Sequence, residues 1–136
     1  MPGDAAKKRA TYEDILAAPE HLVAEVLFGT LHPAPRPRAR HARVSSALGS
    51  DIFGAFDRGR EGPGGWIILD EPELHLGEDI LVADLAGWKK TRMPKVPDVA
   101  FFTLAPDWIC EVRRDRARAR IALARRLSRL GREGAP

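Results

Sequence analysis

The composition of the chain changes abruptly after Val112, and that break limits where a core can form. Residues 113–132 hold nine Arg and no Lys, and most of the remainder is Ala and Leu. Residues 1–112 have the mixed apolar and polar texture of a folding unit. A chain of 136 residues makes one domain with a modest core. The expected division is a flexible N-terminus over residues 1–10, a domain over 11–112 and a tail over 113–136. In a helical tail, Leu123, Leu127 and Leu130 would share one side. The expectation adopted is a domain truncated or rewritten at its C-terminus, with the helical tail as its alternative. Arg-, Ala-, Leu- and Gly-rich ends are what out-of-frame translation of GC-rich DNA tends to produce.

The same break explains the charge. The formal net charge is +3 and the pI about 9.4, yet residues 113–136 carry +7 and residues 1–112 carry −4. Phosphate attraction by a basic protein would therefore rest on the tail. A single cysteine, Cys110, excludes an internal disulfide and fits a reducing compartment. The apolar runs fall far short of a membrane span, and the charged start lacks the apolar segment of a signal peptide. A cytoplasmic protein without membrane contact is expected.

Within the domain the punctuation predicts short elements. Thr11 with Asp14 predicts the start of a helix over residues 12–18, ending before Pro19. Residues 22–28 read as a strand, Gly29-Thr30 as a turn and Leu31 as the start of a return strand. Pro33, Pro35 and Pro37 predict a stiff link without regular structure. Val44, Leu48, Ile52 and Phe56 recur every four residues, which predicts a helix over 39–56 buried along that stripe. Further strands are expected at 66–69, 73–76, 80–82, 99–104 and 108–112, in an antiparallel meander, with an exposed loop at 89–95. The alternation of strands and helices indicates an α/β or α+β class with helices covering a mixed sheet.

Two acids stand at the ends of apolar strands, Asp84 after Ile80-Leu81-Val82 and Glu111 after Trp108-Ile109-Cys110. A carboxylate there is costly to bury unless it is paired or bound to a metal. On neighbouring strands such a pair can share Mg²⁺, which makes a bound water acidic enough to attack a phosphodiester. The plain alternative is that strand-end acids cap turns or face solvent. Asp98 and Asp107 follow prolines and are rival ligands or turn residues. Glu25 is either a third acid near the metal or an outward residue of a half-exposed sheet. His41 heads the long helix, where a lone histidine is usually a surface residue. His21, His32 and His75 show no metal spacing. Trp88 either stacks on a base or packs over a strand end at the surface. Cys110 should point away from Glu111 and belong to the core.

The order of these pieces resembles the Uma2 family. The resemblance rests on Thr11-Tyr12-Glu13-Asp14 with Leu16 and Pro19, and on residues 24–31, Ala-Glu-Val-Leu-Phe-Gly-Thr-Leu. It continues through the prolines at 33–37, His41, residues 80–88, and the run Ala105-Pro106-Asp107-Trp108-Ile109-Cys110-Glu111-Val112. It covers about residues 11–112 and departs after Val112. That family is restriction endonuclease-like and belongs to the PD-(D/E)XK nuclease superfamily. The resemblance implies a restriction-endonuclease-like mixed central sheet flanked by helices. It implies Asp84 and Glu111 as ligands of Mg²⁺ or Mn²⁺, Glu25 and His41 as further site positions, and DNA as substrate. Ala83 replaces the Pro of the family's first motif. Arg113 stands where the broader superfamily often has its Lys, and the Lys that this family carries on the following helix has no counterpart. The expected function is a metal-dependent DNA endonuclease-like protein. The alternative is a non-catalytic remnant or a nucleic-acid-binding module using the Arg-rich tail. A homodimer is a further expectation.

Overall fold

The computed structural model describes residues 7–112, so both readings of the tail lie outside the described residues. A hairpin opens the sheet structure, with β1 (Leu22–Leu27) antiparallel to β2 (Thr30–Pro35). Its two-residue turn is Phe28-Gly29, one residue earlier than the expected Gly29-Thr30, with φ of 52° and 76°. Two left-handed residues match the twist of the flanking strands, and the second is glycine because a side chain there is strained. Phe28 is held in this conformation by donating its N–H to Asp79 Oδ1 at 2.9 Å. Asp79 is 2% exposed and begins β5 (Asp79–Val82), so one buried carboxylate ties the turn to the sheet.

Pro33 and Pro35 were expected to bar regular structure, yet both lie inside β2. The strand is at the margin of its sheet, whose order is β2-β1-β5-β4 with β4 at Glu73–Leu76. Prolines two residues apart turn both missing donors to the same side, and on a marginal strand that side needs no partner.

A link of only two residues, Ala83-Asp84, carries the chain from β5 to β6 (Leu85–Lys89), which lies in a second sheet. That sheet has β6 at its centre, between β3 (Trp66–Asp70) and β7 (Trp108–Cys110). All pairs of named strands are antiparallel. Instead of one mixed sheet there are two, joined through the β5–β6 link, and an isolated parallel bridge connects Leu74 with Phe102. The strand expected at 99–104 shrinks to that bridge, because Phe102 exchanges backbone hydrogen bonds only with Glu73 and His75. Leu27, Leu74, Leu76 and Leu81 of the first sheet share one core with Ile67, Ala86 and Trp88 of the second.

Helix α1 (Tyr12–Leu16) starts where Asp14 Oδ2 accepts the Thr11 N–H at 2.8 Å. Helix α2 (Ala39–Ile52) passes into a π-helical turn, Phe53–Asp57, and Asp57 Oδ2 then accepts the Ile68 N–H at 2.9 Å. The predicted stripe of α2 is not a buried core face. Leu48 and Ile52 are half-buried, while Val44 is 45% and Phe56 39% exposed. Helix α2 meets the second sheet at Gly49, which lies against the Leu85 side chain of β6, and the stripe is covered only in part.

One surface expectation also changes, and the exposed loop at 89–95 holds except at Arg92 and Met93. Trp88 is fully buried and donates its indole N–H to the Leu104 carbonyl at 2.9 Å. Its neighbours in β6 are flanked on both sides by strands, which turns a presumed rim residue into the largest side chain of the interior. The 89–95 loop is anchored, with Met93 buried and Arg92 bonded to the Ala105 carbonyl and Asp107 at 2.9 Å each. No helix among the described residues is long and apolar enough to cross a membrane.

Candidate functional site

The β5–β6 link brings Asp84 to a sheet junction, where its two carboxylate oxygens meet partners from two sides. His41 Nε2, on the first turn of α2, lies 3.0 Å from Asp84 Oδ1. The Val112 N–H donates to Asp84 Oδ2 at 2.7 Å. The histidine and aspartate side chains are only 10% and 15% exposed, so this is a mostly desolvated pair. The surface reading of His41 is thereby corrected. The helix stripe leans α2 on the sheet, and that brings its first turn to the end of β6.

Asp84 and Glu111 each lie one step past Leu85 and Cys110, the last paired residues of β6 and β7. Both carboxylates act on Cys110. Burial first, and then the charges of Asp84 and Glu111, push that thiol above its usual range. Cys110 is half-buried and is kept protonated at neutral pH, in keeping with a packing role.

Glu25 is 6% exposed, which excludes the outward-facing reading, and its Oε1 accepts the Val82 N–H at 3.1 Å. It therefore clamps the end of β5, two residues before Asp84. Of the rival acids, Asp107 is committed to the Lys89 N–H at 2.8 Å and to Arg92, and Asp98 lies exposed in a turn region. Ser45 lies one helical turn beyond His41, and its buried Oγ has no hydrogen-bond partner among the described residues. No group of three or more His, Cys, Asp or Glu among the described residues is gathered to hold a metal ion.

Sequence reasoning missed two features. One is a groove of about 420 Å³ lined by Pro35, Arg36, Arg38, Arg40, His41, Val44 and Val112. Its signal, arginines at every second position, was absorbed into the proline link. The other is a histidine–carboxylate pair away from the groove, His75 Nε2 to Glu73 Oε1 at 2.7 Å. His75 also stacks on Phe101, with ring centroids 3.7 Å apart, and takes the edge of Tyr12 at 4.6 Å. The two-residue period of β4 signals this pairing, because positions 73 and 75 share a face.

No family model and no curated protein matches the chain. Among solved structures it is similar to the crystal structure of a candidate nuclease belonging to DUF820 from Anabaena variabilis. The identity is 22%, the TM-score is 0.65, and the match covers 85% of this chain and 65% of that one. The chain thus spans slightly less than two thirds of its structural neighbour. The likeness is one of fold, an α/β arrangement of sheets and helices.

Proposed function

We propose that this chain is a metal-dependent nuclease-like protein acting on DNA phosphodiesters, with a restriction-endonuclease-like frame and kinship to the Uma2 family. The observation that carries the reading is Asp84 held from two sides, with Glu111 also one step past the last pair of β6 and β7. Support also comes from the fold shared with the Anabaena protein described as a candidate nuclease.

Two carboxylates offer the hard oxygen donors that Mg²⁺ or Mn²⁺ takes, and Mg²⁺ commonly combines one or two carboxylates with several waters. The donor set fits such an ion, and Asp84 and Glu111 would hold it. When bound, the ion renders a water more acidic and offsets charge on the phosphate. The chain's own residues supply orientation. His41 and the Val112 amide fix the two oxygens of Asp84, and Glu25 holds the strand end that leads to it. A cytoplasmic setting is part of the same proposal.

The sequence has no Lys after Lys95. Arginine stays charged and does not exchange protons readily, so Arg113 is a poor substitute in proton transfer. Losing one positioned electrostatic group typically costs about 100- to 1,000-fold in rate. Slow nicking of supercoiled plasmid by the full chain is therefore expected with Mg²⁺ or Mn²⁺, and none after Glu111→Ala. Nicking that survives Glu111→Ala would sink the reading. The absent Lys also favours a second reading, a nucleic-acid-binding module without catalysis. Wild-type protein that binds DNA and never cuts it would select that one.

A further inference from the structure

We infer that the groove formed by Arg36, Arg38 and Arg40 is where the phosphate backbone of a nucleic acid seats beside Asp84. The inference rests on the nuclease reading for its choice of polyanion, and on separate observations for its geometry. The groove walls are His41, which touches Asp84, and Val112, whose amide bonds the same carboxylate. A chain lying along the arginines thus arrives at the acids.

The charge is available for an outside anion. All three arginines are exposed, and none forms an ion pair with a described residue. Arg36 donates to the Glu20 carbonyl at 3.1 Å, a contact that orients the guanidinium and neutralises nothing. No acid among the described residues lines the groove. The spacing suits a linear polyanion. Arg38 has extended backbone, with φ −74° and ψ 162°, and Pro37 stiffens the step from Arg36. Arg36 and Arg38, two apart in extended chain, are about 7 Å apart and project to one side, and Arg40 follows in the first turn of α2. Guanidinium forks pair with phosphate oxygens two at a time, which a row of lysines would not do. The net charge of the body, −4 over residues 1–112, thus conceals a local cationic track whose described lining holds three arginines. Nucleic-acid contact is therefore assigned to the folded domain as well as to any contribution of the tail.

The test is binding of a fluorescent DNA oligonucleotide to the full chain in EDTA, by anisotropy across a salt series. Each phosphate contact removed lowers the slope of log affinity against log salt by about 0.7–0.9. The triple variant Arg36→Gln/Arg38→Gln/Arg40→Gln should lose about 2–3 in slope and about tenfold or more in affinity at 0.1 M salt. The Arg38→Gln/Arg40→Gln double keeps the bond to the Glu20 carbonyl and should lose about two thirds of that slope. A control, Arg60→Gln/Lys90→Gln/Lys95→Gln, removes the same charge from exposed positions outside the groove. Equal losses in groove and control variants, or no loss in either, would overturn the inference. Because no metal and no cleavage enter the assay, a failed hydrolysis reading leaves its outcome interpretable.

Discussion

Ser45 sits one helical turn beyond His41 and carries a cost that the site does not repay with any described contact. Its hydroxyl is buried without a partner among the described residues. An unsatisfied buried polar group costs about 1–3 kcal/mol. Ser45→Ala should therefore raise the stability by about 1 kcal/mol in urea denaturation, and a loss of stability would mean that an ordered water satisfies the hydroxyl. Cys110 offers a second residue-scale check. Its folded-state pKa is raised, by burial first and then by the two carboxylates. The linked stability is therefore fully present below the ordinary thiol range and is lost as pH rises through the raised value. Alkylation by iodoacetamide should be slow at neutral pH and accelerate only above the usual thiol range. Asp84→Asn should lower that midpoint by removing one of the two charges. A thiol that alkylates rapidly at pH 7 would contradict the carboxylate arrangement around it.

Among the elements, burial separates helix from strand. Leu74 is fully buried in β4, whereas Leu48 of α2 is half-buried. Leu74→Ala should cost about 2–5 kcal/mol, and Leu48→Ala only about 1 kcal/mol, in proportion to the apolar area each hides. Comparable losses would show that α2 is packed more tightly than its exposed Val44 and Phe56 imply. The element pattern was legible wherever local chemistry decides it. The hairpin with its Gly29 turn, the Thr11–Asp14 helix start and the long helix at Ala39–Ile52 all follow from short-range rules. What depended on neighbours was not legible. Pro33 and Pro35 read as breakers because the chain does not announce which strand is marginal. Trp88 read as surface because Leu85–Lys89 was not recognised as a central strand. The acids illustrate the same division. Their placement at strand ends was visible in the pattern, but the contact of His41 with Asp84 spans 43 positions and needed the fold. The arginine groove was hidden by a whole-body charge count, which averages away local fields.

At the scale of the whole molecule, the prolines of β2 acquire a role that concerns other molecules. A marginal strand with a full set of donors is a template on which a second chain can add. Pro33 and Pro35 withdraw donors from that margin, so the first sheet is difficult to lengthen beyond β2. Pro33→Thr/Pro35→Thr keeps β-forming residues while restoring two N–H groups. The variant should keep its far-ultraviolet spectrum in dilute solution yet scatter light and bind thioflavin at concentrations where the parent stays clear. If it remains as clear as the parent, the prolines are only a tolerated irregularity. If it clouds, the stiffness that carries the chain from hairpin to helix is also a colloidal safeguard, set by two rings in a strand that would otherwise invite fibrils.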